Sequence, residues 1–214
     1  MENIYCISGL GADERIFKKL KVKGVNFIYL PWVSFDKHDE LPCYAQKMAS
    51  QIPENNPTIL GLSFGGMLAT EIALQRKVKK VFLVSSIKGK HELPKISSVL
   101  KYLISIDAIP YGLFKKPNKI LYERFGAETE EEKQMLAAIM KDTDPSFLAW
   151  AFKAILHWQN TIVPDNIVHI HGTKDKILQP AYVEATHWLR NGTHMMVYNR
   201  ADEVSALISS HIQL

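Results

Sequence analysis

The 214-residue sequence holds only two cysteines, Cys6 and Cys43. Two cysteines cannot build the disulfide framework on which small secreted domains depend, so a reducing compartment is expected. No apolar run approaches the ~18 residues that a membrane span needs. The opening MENIYCISGL also lacks a basic stretch followed by a long apolar one. Neither a membrane anchor nor a secretory signal is therefore expected, and the expected location is cytoplasmic. Neither sign of charge dominates: 26 Lys and Arg stand against 22 Asp and Glu, for a net charge of +4. The densest basic cluster, RKVKK at 76–80, is too short for a nucleic-acid footprint. It follows a helical pattern, where cations suit the negative end of the helix dipole. Internal repeats and low-complexity segments are also missing. At 47% apolar and 22% charged residues, the composition is that of a globular chain long enough for one large domain or one domain with an insertion.

The apolar pattern has a rhythm. Short apolar runs at 3–8, 25–31, 58–63 and 78–86 predict strands, and amphipathic segments at 12–20, 39–52 and 65–76 predict helices between them. The strands are apolar throughout rather than alternating, which is the pattern of a parallel sheet covered on both faces. From about 87 to 163 the rhythm stops, and only helices are predicted, at 96–106, 129–141 and 144–158. Thr129 and Glu132 form a capping box, and Asp144 followed by Pro145 marks a helix start. The rhythm resumes with strands at 166–172 and 185–192 and a helix at 201–212.

Between the third strand and its helix lies Gly61-Leu62-Ser63-Phe64-Gly65, which fits Gly-x-Ser-x-Gly. A serine on a sharp strand-to-helix turn needs neighbours without side chains, and it gains a raised hydroxyl with a helix N-terminus behind it. Such a nucleophile needs an acid and then a base further along the chain. Asp175 in HGTKD and His194 in NGTH follow predicted strands in that order. Ser63, Asp175 and His194 would then share the C-terminal edge of the sheet, where open α/β sheets build their sites. Histidine would take the serine proton, and aspartate would fix its tautomer. An oxyanion would need backbone N–H donors, expected from Phe64 and from Leu10 in the loop after the first strand. Taken singly, each of the three has a plain alternative: a turn serine, a solvated loop aspartate and a surface histidine.

Two other motifs compete for attention. GLGADE at 9–14 follows a strand, but Glu14 replaces the third glycine of a dinucleotide fingerprint, and the next strand ends LPW without a ribose-binding acid. HIH at 169–171 puts two histidines on one face of a strand, yet no further ligand lies at metal spacing, so core or edge histidines are expected and no metal is.

The elbow GLSFGG, the acid loop HGTKD and the histidine loop GTH, in that order, resemble the α/β-hydrolase superfamily over residues 1–86 and 164–214. The resemblance implies an α/β fold with a mainly parallel sheet of about six strands, helices on both faces and a helical cap insertion. The first strand here takes the place of the family's third. The core would comprise 1–87 and 164–214, and the cap 88–163. Where many members carry His-Gly in the oxyanion loop, this chain has Ser8-Gly9. An aspartate nucleophile, as in dehalogenases and epoxide hydrolases of the family, is excluded by Ser63. The implied activity is hydrolysis of a small or medium carboxylic ester, or a thioester, through an acyl-serine, without cofactor. The partner would be a small molecule with an apolar acyl group, and neither nucleic acid nor membrane. A lyase or C–C hydrolase on the same residues and a non-catalytic ligand-binding protein are the alternatives. The cap carries Tyr102, Tyr111, Phe114, Tyr122, Phe125, Phe147, Trp150, Phe152 and Trp158. Phe147 and Trp150 are the expected substrate-binding residues, although packing of cap on sheet would use the same aromatics.

Overall fold

The computed structural model describes residues 1–93 and 117–212. Six strands, β1 (Glu2–Ile7), β2 (Val25–Tyr29), β3 (Thr58–Leu62), β4 (Lys80–Val84), β5 (Ile167–Gly172) and β6 (His187–Leu189), form one sheet in the order β2-β1-β3-β4-β5-β6. Every pairing is parallel. The central strands carry apolar side chains to both faces, so both need covering. On one face Ile7, Ile59, Val81 and Leu83 pack against α1 (Leu41–Ala49) and α2 (Phe64–Gln75). On the other, Ile4, Leu60, Phe82, Val84 and Ile170 pack against α6 (Met196–Asn199) and α7 (Ala201–Ser210).

Among the described residues, three α-helices lie between β4 and β5: α3 (Lys119–Phe125), α4 (Glu130–Asp142) and α5 (Pro145–His157). Their starts follow local chemistry. Asn118 accepts from the Leu121 N–H at 3.1 Å, Thr129 and Glu132 complete the capping box, and Asp144 accepts from the Ser146 N–H at 2.8 Å. α4 and α5 then diverge. α4 sends Met135, Leu136 and Ile139 to the cluster on the α7 face, and α5 sends Phe147, Trp150, Ala151 and Ala154 to the cluster on the α2 face. The corner between them, Thr143, sits over the loop after β1, and its hydroxyl lies 2.8 Å from the Gly11 carbonyl oxygen.

Some expected elements are shorter or new. The helix expected at 12–20 is a single 3₁₀ turn, Glu14–Phe17. Asp13 binds both the backbone N–H of Arg15 (3.0 Å) and its guanidinium, and Arg15 reaches on to Asp142 at 2.8 Å, so one turn suffices to bury Ile16 and Phe17. The strand expected at 185–192 keeps three residues, His187–Leu189, paired with β5 at the edge of the sheet. Arg76 is the C-cap residue of α2, but its guanidinium donates to the carbonyls of Ala49 and Ile52 at the end of α1 and just beyond it. α3 and α6 have no counterpart among the expected elements. The helix expected at 96–106 and the aromatics Tyr102, Tyr111 and Phe114 lie outside the described residues.

Candidate active site

Ser63 closes β3 and caps α2 with φ 51° and ψ −118°, a conformation that side chains other than glycine rarely adopt. The turn is possible because its glycines have no Cβ: one on Gly65 would lie 2.2 Å from the Ile7 carbonyl oxygen, and one on Gly61 2.5 Å from that of Gly65. The strained residue is pinned from both sides by the end of β4. Its N–H donates to the Val84 carbonyl at 3.0 Å, and the Ser86 hydroxyl donates to its carbonyl at 2.6 Å. Its own hydroxyl is left half-buried at the sheet edge.

The structure brings Asp175 and His194 to that hydroxyl. His194, in the loop between β6 and α6, places Nε2 3.0 Å from Ser63 Oγ. Its Nδ1 lies 2.8 Å from Asp175 Oδ2, so with the aspartate ionised Nδ1 donates and Nε2 accepts. The other carboxylate oxygen accepts from the N–H groups of Ile177 (2.8 Å) and Leu178 (2.9 Å). Burial pushes the Asp175 carboxyl up. The electrostatic pull and hydrogen bond of His194, the His171 side chain and the Leu178 amide outweigh that and hold it below the usual carboxylate range. Phe125, from the end of α3, packs edge-on against the His194 ring at 5.5 Å between centroids.

Phe64 is the first residue of α2, so its N–H belongs to the positive end of that helix. Leu10 lies in the loop after β1, and this loop approaches the serine closely: a Cβ on neighbouring Gly9 would stand 3.3 Å from that of Ser63. The loop is internally tied. Ser8 Oγ donates to the Ala12 carbonyl at 2.7 Å, Trp32 Nε1 donates to the same oxygen at 2.8 Å, and the Ala12 N–H donates to Gly9 at 2.8 Å. Ser8 thus helps to hold the loop's shape.

Phe147 and Trp150 are both buried, in a group of rings that also contains Trp32, Phe35, Tyr44 and Phe64. Phe147 lies 5.0 Å from Trp32 and 6.3 Å from Phe64, between ring centroids. Trp150 is tied back through Nε1 to the Asp39 carbonyl at 2.9 Å, and Trp158 through Nε1 to Glu71 at 2.6 Å. A cavity of about 550 Å³ lined by Trp150, Trp158, Glu71 and His38 includes none of Ser63, Asp175 and His194. No group of three or more His, Cys, Asp or Glu residues placed to hold a metal ion occurs among the described residues. No helix among them is long and apolar enough to cross a membrane.

Three residues at this edge escape the sequence reading, Ser86, Thr143 and Trp32, whereas His171 is the core histidine that HIH leads one to expect. Only Ser86 has a local signal, as the second serine of VSS at the end of a predicted strand. The others reach the site from elements whose relative placement no local pattern encodes.

The fold recurs widely. A lipase-esterase related protein from Clostridium acetobutylicum matches with a TM-score of 0.73 at 18% identity, covering 99% of this chain and 94% of that one. An esterase from Exiguobacterium antarcticum matches with a TM-score of 0.72 at 16% identity, over 99% and 91% of the two chains. A bromoperoxidase from Bacillus anthracis gives 0.72 at 15% identity, over 97% and 90%. No curated protein matches the sequence. The sequence model of the alpha/beta hydrolase family matches residues 30–207. That span carries the serine turn, both later loops and four of the six strands, β3 to β6, and the chain belongs to the alpha/beta hydrolase family.

Proposed function

We propose that the protein is a serine hydrolase that cleaves a small or medium carboxylic ester, or a thioester, through an acyl-Ser63 intermediate. The observation that carries this reading is the unbroken relay Ser63 Oγ–His194 Nε2 (3.0 Å) and His194 Nδ1–Asp175 Oδ2 (2.8 Å) on a strained serine turn. Membership of a hydrolase family and the esterase among its structural neighbours support it.

The steps follow from the geometry. His194 Nε2 accepts the Ser63 proton as Oγ attacks the carbonyl carbon. The resulting oxyanion is met by the N–H groups of Phe64 and Leu10. Asp175 stays ionised and stabilises the imidazolium. His194 then returns the proton to the leaving alcohol or thiol, and a water that it deprotonates releases the acid. Residues 88–163 serve as a helical cap over the core formed by 1–87 and 164–214, with Phe147 shaping the acyl pocket beside Trp32. Trp150, held by Asp39, backs that wall. No cofactor enters any step.

A fluorophosphonate probe and p-nitrophenyl esters of rising acyl length test the proposal. Wild type labels at Ser63, and kcat/KM rises about fourfold per methylene until the pocket is full. Ser63→Ala folds, fails to label and loses turnover. A wild type that neither labels nor turns over any ester of the series refutes the proposal.

A further inference from the structure

The two histidines of HIH take no part in the chemistry above, yet one of them touches its machinery. His171 is wholly buried at the end of β5. Its Nε2 lies 2.9 Å from the Leu178 carbonyl oxygen, which only accepts, so Nε2 carries a hydrogen. The opposite tautomer would bury an Nδ1–H that has no partner among the described residues. The same Nε2 is 3.8 Å from Asp175 Oδ2, the oxygen that receives His194. Leu178 in turn donates its N–H to Asp175 Oδ1 at 2.9 Å. Imidazole, Leu178 peptide and Asp175 carboxylate therefore form one closed arrangement behind the relay. Trp188 and His169 stand edge-on to the imidazole at 5.7 and 5.4 Å between ring centroids and hold its orientation.

We propose that His171 is a positioning residue, whose Nε2–H locks the 175–178 loop and directs a bond dipole at Asp175 so that the acid stays aligned with His194. This rests on the serine-hydrolase reading. The group acts as a neutral imidazole. Burial lowers its pKa, against an opposing pull from Asp175. The charged or titratable groups facing it are His169 on its own strand, Asp175 and His194 from the loops and Glu92 from the turn after β4, with Lys88 beyond His169. A cationic His171 would compete with His194 for the same carboxylate oxygen; a neutral one supports it.

His171→Phe removes the donor at similar volume, and His171→Gln restores an N–H. With p-nitrophenyl acetate, His171→Phe lowers kcat about tenfold or more with little change in KM. It also moves the acid limb of kcat/KM to lower pH, because a less well held carboxylate stabilises the His194 imidazolium less. His171→Gln recovers most of the loss. A phenylalanine variant with wild-type kcat and acid limb overturns the proposal. So does a pair of variants equally impaired with the acid limb unmoved, the signature of packing alone. If the phenylalanine variant does not fold, ¹⁵N spectra of the wild-type imidazoles decide. His171 is expected as the neutral Nε2–H tautomer from pH 5 to 8, and a protonated or Nδ1–H form in that range overturns the proposal. Failure of the wild type to label with fluorophosphonate would instead refute the hydrolase reading itself, and the tautomer measurement would still stand.

Discussion

At the scale of single residues, Asp175 carries two tasks on two oxygens. Oδ1 takes the loop amides of Ile177 and Leu178, and Oδ2 takes His194 Nδ1. Asparagine would keep the first task and invert the second. Its carbonyl oxygen would stay on the amides, and its NH₂ would face Nδ1, making that nitrogen an acceptor. Nε2 would then hold the hydrogen and could not accept one from Ser63. Asp175→Asn is therefore expected to fold normally and to lower kcat by up to about 10⁴-fold. Steady-state kinetics beside an unfolding curve check this, and a loss below about tenfold would remove Asp175 from the role. The serine itself shows why a sequence motif works here: φ 51° at Ser63 demands small residues nearby, and a steric demand of that kind is written locally.

At the scale of elements, the corner between α4 and α5 rests on the loop that would supply an oxyanion donor. The Thr143 hydroxyl lies 2.8 Å from Gly11 O and 2.9 Å from Ile139 O, and its one hydrogen serves one of them at a time. Thr143→Val keeps the shape and removes the donor. The expected result is a fall of about tenfold in kcat with KM nearly unchanged, since the loop loses about one hydrogen bond of restraint. Unchanged kcat would show that the bonds to Ala12 from Ser8 and Trp32 hold the loop unaided. The same corner marks where legibility ends. The parallel sheet, the serine turn and the order of the acid and histidine loops were readable, because strand apolarity, helix caps and steric turns are each local. Even α3 could have been read from Asn118 at its start and Gly126 at its end. The reach of Thr143 to Gly11, 132 residues away, could not, nor could the packing of Trp32 against Phe147. Those contacts depend on how finished elements lie against each other. The 3₁₀ turn at 14–17 is shorter than its apolar spacing predicts for the same reason: Arg15 is held by a partner, Asp142, on a distant helix.

At the scale of the whole molecule, the buried histidines couple stability to acidity. Burial pushes the His169 pKa down to about 3, against an ordinary value of 6.5. The unfolded chain therefore binds a proton that the folded one refuses, and stability is complete above about pH 6.5 and falls as pH drops toward 3. The slope is about 1.4 kcal/mol per pH unit for such a histidine, and His171, also lowered, adds to it with the same sign. Urea unfolding between pH 6.5 and 4.5 should show this, and His169→Phe should flatten the slope by one histidine's share. A slope unchanged by that substitution would mean that His169 takes up a proton while folded. Carboxylates such as Asp175 begin to add to the slope below about pH 5, but they do so equally in both proteins, so the difference between wild type and His169→Phe isolates the histidine. The order of the strands has a further consequence, in time rather than in space. The hydroxyl of Ser63 and the imidazole that faces it are 131 residues apart in the chain. A ribosome completes β3, β4 and their helices long before it reaches His194. In the nascent chain the serine is an ordinary alcohol among the proteins around it, and it gains its partner only once β5 and β6 have docked. If Ser63 is the proposed nucleophile, the late arrival of His194 keeps it unreactive until the sheet is complete.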